Sequence, residues 1–205
     1  MKGILGRKLG MTQIFDPETG SVTAVTVIEA GPCPVTHVRS EAADGYTAVQ
    51  LAYEPVVDRK ITKGELGHLK KAGTTAHRHL AEFRGDTELA VGDTVTVEAF
   101  EPGDEIKVAG TSVGKGFAGT IKRHRFNSGP KSHGSHNVRA PGSVGASATP
   151  SRVFPGMKGP GQMGNKRVTQ KGLTIVELIP AQNLMLVRGA VPGPKGSTVE
   201  VRTDA

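Results

Sequence analysis

Residues 110–125 read GTSVGKGFAGTIKRHR and lie within a longer run, from Ile106 to Val176, that contains no Asp or Glu. This run carries twelve Lys and Arg residues and three histidines. The whole chain has a formal net charge of +7, so the residues outside the run, with 14 Lys or Arg and 19 Asp or Glu, sum to −5. The positive charge is therefore concentrated in one segment of the sequence.

The same segment lacks the residues that build a core, since there is no Leu, Ile, Trp or Tyr between Lys122 and Gly172. It buries too little apolar surface to offset the entropy of ordering its backbone, so we expect it to order against a partner. Dense positive charge favours a polyanion, and glycine allows close approach to it. Nucleic acid is the polyanion that this composition favours, and the candidate contacts to it in the run are Lys115, Lys122, Arg123, His124, Arg125, Lys131, His133, His136, Arg139, Arg152, Lys158, Lys166, Arg167 and Lys171.

The rest of the chain has the composition of a small intracellular domain. Roughly 135 residues remain, which is enough for one packed core. Trp is absent, so that core must consist mainly of Val, Ile, Leu and Ala. The single Cys33 excludes an intramolecular disulfide and suits a reducing compartment. Lys2 to Met11 is too interrupted for a signal peptide, and no apolar stretch reaches the length of a membrane span, so we expect a soluble protein without a membrane partner.

Most of this remainder has the pattern of β-strands, and Asp16 to Gly20 predicts a hairpin turn. The predicted strands are Val22–Glu29, Val35–Val38, Thr47–Tyr53, Thr94–Ala99, Glu105–Ala109, Leu173–Ile179, Leu184–Arg188 and Thr198–Arg202. Because both ends of the basic run join β structure, the run is an insertion between two strands of one barrel-like domain. We expect a mainly β fold in which residues 1–110 and 172–205 form the barrel and residues 111–171 form a long, irregular basic extension.

A short helical segment interrupts the strands near residues 62–84. Thr62 and Glu65 have the spacing of a capping box, and Gly73 ends the first helix. Leu80 and Phe83 are three residues apart, which predicts a second short helix over His77–Phe83.

Other chemistries fit the sequence less well. In Gly110 to Gly116 the spacing of an NTPase phosphate loop fails, and Gly116 stands where a Mg²⁺-binding hydroxyl is needed. A zinc site made of three histidines and Cys33 lacks the usual ligand spacing, so histidines that stack on RNA or donate to it are favoured. No pattern of His and Asp accompanies Cys33, which argues against a catalytic thiol. The sequence predicts neither a catalytic site nor a metal site.

Several motifs, quoted in chain order, resemble the bacterial form of the large-subunit ribosomal protein L3 family. The resemblance covers essentially the whole chain, and motifs in register are more specific than any one alone. They are GRKLGMTQIF at 6–15, the glycine-rich signature from Gly110 to Arg123, SHGSH at 132–136, RAPGSVG at 139–145 and GQMGN at 161–165.

This resemblance implies a barrel of the kind shared with translation factors and an extension that penetrates large-subunit rRNA toward the peptidyl transferase centre. It implies early binding near the 3′ end of that RNA, with neighbouring large-subunit proteins as further partners, in the cytoplasmic ribosome. Catalysis would remain with the RNA, so no cofactor, small-molecule substrate or homo-oligomer is expected. Arg7 and Lys8 would contact RNA beside the barrel. The residues implied at the tip are Gly145, Ala146, Ser147, Ala148, Thr149 and Pro150.

Two departures from the family pattern concern the tip and the junction. Many bacterial relatives carry a methylated glutamine where Ala148 stands, so we do not expect that modification here. Lys107 stands where the family often has Asp or Asn. Two alternative functions remain open from the sequence: a free RNA chaperone or regulator, and a phosphate-handling enzyme that uses Lys115.

Overall fold

The structure is a computed structural model that describes residues 2–15, 20–86 and 88–203. Its strands are β1 (Gly3–Phe15), β2 (Val22–Ala30), β3 (Cys33–Arg39), β4 (Ala48–Pro55), β5 (His77–Arg84), β6 (Thr94–Val95), β7 (Glu105–Thr111), β8 (Phe117–Ala118), β9 (Gly161–Gln162), β10 (Arg167–Ile179), β11 (Leu184–Arg188) and β12 (Thr198–Thr203). Its α-helices are α1 (Glu41–Asp44), α2 (Lys63–Lys71) and α3 (Thr120–His124). Short 3-10 helices lie at Asp58–Lys60, Val97–Ala99 and Pro180–Gln182.

Six strands form a closed antiparallel barrel in the order β1-β12-β7-β10-β11-β2. The prediction of a mainly β fold with a barrel is confirmed. Strand β11 has the predicted bounds, and β1 pairs with β2 so that Phe15 lies opposite Val22. The predicted hairpin turn falls on residues 16–20, of which 16–19 lie outside the described residues.

Alternating side chains of the barrel strands fill its interior because successive residues of a strand face opposite sides. On β12, Val199 and Val201 are buried while Glu200 is partly exposed. On β7, Ile106 and Val108 are likewise buried, while Lys107 between them is partly exposed. Each fully buried aliphatic side chain stabilises the fold by about 1.5–3 kcal/mol relative to an exposed one. The core is thus made mainly of Val, Ile and Leu, as the composition predicts.

A second sheet, in the order β5-β4-β3-β6, adds to the core through Val35, Leu51 and Phe83. The predicted helix over His77–Phe83 is wrong, because this segment is strand β5 and pairs along β4. A leucine and a phenylalanine three residues apart are compatible with either a helix or a strand. Here the hydrogen bonds to β4 make the segment a strand. The predicted strand Thr94–Ala99 is reduced to two residues followed by a 3-10 helix.

Helix α2 begins with the predicted capping box. The hydroxyl of Thr62 accepts from the backbone N–H of Glu65, and the Glu65 carboxylate accepts from the backbone N–H of Thr62. The fully buried Leu69 attaches this helix to the fold, and Nε2 of His68 lies 2.6 Å from Oε1 of Gln50 on β4. None of the described helices is long and apolar enough to cross a membrane.

The chain divides into two compact units, Met1–Ser112 with Arg167–Ala205 (hereafter the barrel unit) and Val113–Lys166 (hereafter the basic insertion). The basic insertion contains the two-residue strands β8 and β9 and the five-residue helix α3, with turns and loops elsewhere. Strand β10 begins at Arg167, earlier than the predicted Leu173, because it pairs with β7 as far as Thr111. The apolar pattern begins only at Leu173, so the sequence did not predict the exposed first part of this strand.

Candidate RNA interface

The two barrel strands that border the basic insertion in sequence are paired neighbours. On β7 and β10, Thr111 lies opposite Arg167. The guanidinium of Arg167 forms an ion pair with Glu200 on β12, and Arg202 donates to the same carboxylate oxygen at 3.0 Å. Ser112 and Arg167 are therefore brought to one place at the edge of a regular antiparallel ladder.

Within the basic insertion, β8 and β9 form a small ribbon. Phe117 lies opposite Gln162, and Ala118 lies opposite Gly161. The Lys115 N–H donates to the Met163 carbonyl at 2.8 Å, and the Met163 N–H donates to the Gly116 carbonyl at 2.9 Å. This geometry differs from an NTPase phosphate loop, in which free N–H groups face the phosphate and a helix begins at the lysine. Here the Lys115 N–H has a protein partner and α3 begins only at Thr120.

A glycine permits the close crossing beside this ribbon. Gly164 has a φ of +73°, in the left-handed region that side chains other than hydrogen disfavour. A Cβ at this position would collide with the carbonyl group of Val113. The family-like motif GQMGN thus has a structural reason for its second glycine.

Helix α3 positions two of the predicted RNA contacts against the backbone of the insertion. Nη1 of Arg123 donates to the Gly159 carbonyl at 2.7 Å. Nε2 of His124 lies 3.0 Å from the same carbonyl, and because a carbonyl only accepts, this nitrogen carries the proton. The helix is short because the chain leaves it at Arg125, which has a φ of +61°.

The segment from Phe126 to Pro160 has few internal contacts. The Gly129 N–H donates to the Val138 carbonyl at 3.0 Å, and the guanidinium of Arg152 lies 5.4 Å from the ring centre of Phe154. Residues 145–150, the predicted tip, are all exposed. Across the whole basic insertion only Ala118 and Thr120 are buried. This unit therefore has almost no interior.

The charged groups of the barrel unit have a different environment. Arg39 donates to Asp44 at 2.6 Å, and this hydrogen bond lowers the pKa of the Asp44 carboxyl group below its usual value. Lys2 and Arg78 also lie within ion-pair distance of carboxylates. The basic insertion has no Asp or Glu in its sequence, so its nine Lys and Arg residues have no acidic partner within the unit. The unit is a cationic surface with no acidic side chain of its own.

Comparison with known proteins identifies the family. Residues 80–182 match the family described as Ribosomal protein L3. The chain is 54% identical over 202 residues to a protein of Synechococcus sp. (strain JA-3-3Ab), covering 97% of this chain and 94% of the relative. It is 54% identical over 208 residues to a protein of Acidothermus cellulolyticus, covering 100% and 93%, and 55% identical over 202 residues to one of Gloeobacter violaceus, covering 97% and 94%. Each relative is named Large ribosomal subunit protein uL3.

The chain belongs to the ribosomal protein L3 family. This membership confirms the resemblance drawn from the motifs. Within the L3 family motifs, the structure assigns different roles to different residues. Gly116 and Met163 hold the ribbon, Arg123 holds the loop at Gly159, and Lys115 and Lys122 are exposed.

Most of the predicted contacts of this L3 family member are open to solvent. Three of them are partly buried and also hydrogen-bond to backbone carbonyls, namely Lys8, Arg123 and His124. The exposed ones are Arg7, Lys115, Lys122, Arg125, Lys131, His133, His136, Arg139, Arg152, Lys158, Lys166, Arg167 and Lys171. Arg167 and Lys171 lie on barrel strand β10 and not in the basic insertion.

Lys8 has a structural role that the sequence did not reveal. Its Nζ donates to the carbonyls of Val191 at 2.7 Å and of Gly193 at 3.0 Å, so it holds the loop that leads to β12. The segment around Gly193 is rich in Gly and Pro, which leaves carbonyls outside the strand ladder. That composition was the available signal, but it does not indicate which lysine binds there.

Cys33, considered above as a metal ligand and as a catalytic thiol, lies in the core of the barrel unit. Among the described residues, no three His, Cys, Asp or Glu side chains lie together as metal ligands would. Cys33 is fully buried in the barrel unit, and its thiol donates to the Leu5 carbonyl at 3.4 Å. Burial raises the pKa of the Cys33 thiol to about 12, so the group stays protonated at neutral pH.

Proposed function

We propose that this chain is a structural component of the large ribosomal subunit in the cytoplasmic ribosome, and that its basic insertion binds large-subunit rRNA. The relatives are named as proteins of that subunit. The ribosomal protein L3 family consists of structural proteins and not of enzymes. One observation carries the proposed mechanism: the basic insertion has nine Lys and Arg residues, no acid and only two buried residues.

The mechanism is charge neutralisation by a backbone that has no core of its own. Each Lys or Arg that contacts a phosphate releases condensed counterions, so the logarithm of affinity falls with the logarithm of salt concentration by about 0.9 per contact on a duplex. Phosphate contacts fix position without reading sequence. The exposed side chains of Lys115, Arg139 and Lys158 are suited to such contacts. RNA would supply the packing surface that the insertion lacks.

The finer arrangement follows from the family resemblance. Residues 1–110 and 172–205 would form a barrel like that of the translation factors, with Arg7 contacting RNA at its surface. Residues 111–171 would reach into the rRNA, bind early in assembly near its 3′ end, and bring residues 145–150 toward the peptidyl transferase centre. Exposure of all six tip residues and the small size of Gly145, Ala146 and Ala148 support this proposal. Small side chains would leave space for the ends of tRNA.

A deletion tests the division of roles. Because Thr111 and Arg167 are paired neighbours, residues 112–166 can be replaced by Asn-Gly, a favoured two-residue hairpin turn. We expect the shortened protein to keep a cooperative thermal transition and a β-type circular dichroism spectrum. We also expect it to fail to support assembly of large subunits in cells depleted of the full-length chain. Normal yields of active subunits would overturn the proposal.

A charge-matched pair of variants separates the location of charge from its amount. The first variant changes Lys115, Lys131 and Lys158 together to Gln, which removes three charges from the basic insertion. Lys60, Lys63 and Lys71 changed to Gln remove three exposed charges from the barrel unit. We expect the first variant to lower the salt slope of rRNA binding by about three, and the second to change it little. Equal effects would show non-specific attraction.

Sedimentation separates a permanent subunit component from a free RNA chaperone or regulator. Many buried contacts should keep the wild-type protein on large subunits through a high-salt wash, whereas loose electrostatic binding should not survive it. Complete release by the wash would favour the chaperone.

A further inference from the structure

Phe117 is an aromatic side chain that the charge argument does not explain. It is 80% exposed, more than Phe15 at 62% or Phe154 at 58%. It stands in the acid-free unit between the exposed Lys115 and Lys122. An exposed phenyl ring gives nothing to the fold, since its stabilising value comes from removing it from water. The ring is therefore available to a partner.

The backbone fixes the direction of this ring. Phe117 lies on β8, which pairs with β9, and the hydrogen bonds between Met163 and residues 115 and 116 close the ribbon next to it. Because successive residues of a strand face opposite sides, the buried Ala118 points inward and Phe117 points outward. Gly116, with a φ of +65°, supplies the left-handed turn that leads into the strand. The ring is presented by a hydrogen-bonded element and not by a loose loop.

The surroundings of Phe117 indicate what would cover it. Gly116 directly precedes Phe117 and Gly119 follows two residues later, and neither adds a side chain. In the sequence, the nearest other large exposed apolar residue is Val113, four residues earlier. The core of a protein interface is a cluster of apolar side chains, whereas Phe117 is the one large exposed apolar residue from Lys115 to Lys122. Single-stranded nucleic acid is held by aromatic rings that stack on bases, combined with cations that contact the phosphates. An isolated ring between two lysines has that composition.

We propose that Phe117 is a base-stacking residue: its ring packs against an unpaired nucleobase of RNA while Lys115 and Lys122 contact the neighbouring phosphates. This rests on the proposed function in that RNA is the partner, and it adds a contact to a base where charge alone predicts contacts to phosphates. Stacking depends on a flat π-face, so it tolerates any aromatic side chain but not an aliphatic one of similar size.

The first test compares substitutions at this position in the full-length protein. Stacking on one base predicts that Phe117→Ala and Phe117→Leu each weaken binding to large-subunit rRNA by about 5- to 150-fold. Phe117→Tyr and Phe117→Trp should bind like wild type. None of the four should alter binding to heparin, a polyanion without bases. The side chain is exposed, so these variants are expected to fold, and an unchanged thermal transition checks this.

The second test uses fluorescence. The chain contains no Trp, so Phe117→Trp introduces a single fluorophore at the proposed site. We expect single-stranded oligoadenylate to quench its emission saturably, and heparin to leave the emission intensity nearly unchanged. Val113→Trp is the matched control at a nearby exposed position, and we expect weaker quenching there.

Three results would overturn the stacking proposal. They are full RNA affinity in Phe117→Leu, which would show that apolar contact with any partner suffices; wild-type affinity in Phe117→Ala; and equal quenching by heparin and oligoadenylate. Each can occur while wild-type protein still binds rRNA in a salt-dependent way through the insertion, so failure here is distinct from failure of the proposed function. If the proposed function itself were wrong, the two charge-matched triple variants would show the same salt slope of rRNA binding.

Discussion

Strand β7 and the basic insertion that follows it differ in how their backbones are held. In seven residues, β7 buries Ile106 and Val108 completely and hydrogen-bonds to strands on both sides. The insertion buries two residues in its whole length, and its hydrogen bonds are scattered among short turns. The barrel unit therefore has its own interior, whereas the insertion depends on a surface supplied from outside.

The charges of the two regions differ in the same way. In the barrel unit, Arg39 on β3 is held by the carboxylate of Glu82 on β5, and Arg202 by that of Glu200 on its own strand β12. In the insertion, Arg123 is held by a carbonyl, which leaves its positive charge uncompensated. An acid-free sequence without a core thus marks a segment whose packing and charge balance both come from a partner.

The largest difference should appear in thiol reactivity. In a Ser147→Cys variant, one thiol lies at the exposed tip and Cys33 stays in the core. At pH 8 a thiol with an ordinary pKa of 9.0 is about one-tenth thiolate, whereas a pKa of about 12 leaves about one part in ten thousand. We expect labelling by a disulfide-exchange reagent to show one fast and one slow thiol per molecule, differing at least about a thousandfold.

The pH dependence gives the sign of the effect. The fast rate should level off above about pH 9, while the rate at Cys33 should continue to rise toward pH 12. Because the native state retains this proton to higher pH than the unfolded state, Cys33 lowers the free energy of unfolding only as the pH rises from 9 to 12. Two fast thiols at pH 8 would mean that Cys33 is not in a packed core.

The part of the structure that the sequence predicted best is the part whose pattern is local. The capping box at Thr62 and strand β11 follow from residues within a few positions. Strand β5 was mistaken for a helix because its partner β4 lies more than twenty residues earlier. The first residues of β10 were missed for a similar reason, since the pairing of exposed Arg167 and Gln170 with β7 is visible only in three dimensions.

The candidate site shows the same limit. Charge alone indicated the cationic segment, because the absence of Asp and Glu can be read directly from the sequence. It could not distinguish lysines that face solvent from Lys8, which binds two carbonyls in a loop some 180 residues later. Nor could it show that Phe117 faces outward, which depends on the pairing of β8 with β9.

A matched pair of valine truncations should separate the two regions by stability. Val108 on β7 is fully buried, whereas Val144 in the basic insertion is half exposed. We expect Val108→Ala to lower the free energy of unfolding by about 1.5–3 kcal/mol, and Val144→Ala to change it by less than about 0.5 kcal/mol. Urea unfolding followed by circular dichroism measures both. A cost at Val144 equal to that at Val108 would mean that the insertion has a core of its own.

The smallest effect should be local to the insertion. Arg123→Ala removes the guanidinium that donates to the Gly159 carbonyl, and a hydrogen bond of this kind contributes about 1 kcal/mol. Since few other contacts hold this loop, we expect amide hydrogen exchange to accelerate about fivefold at Gly161 to Met163. Exchange in the core of β7 should not change. Lys122→Ala, which removes an exposed cation from the same helix, is the control and should leave both regions as they are. If Arg123→Ala accelerated exchange equally in β7, the loop and the barrel core would open together, and the two regions would not be independent.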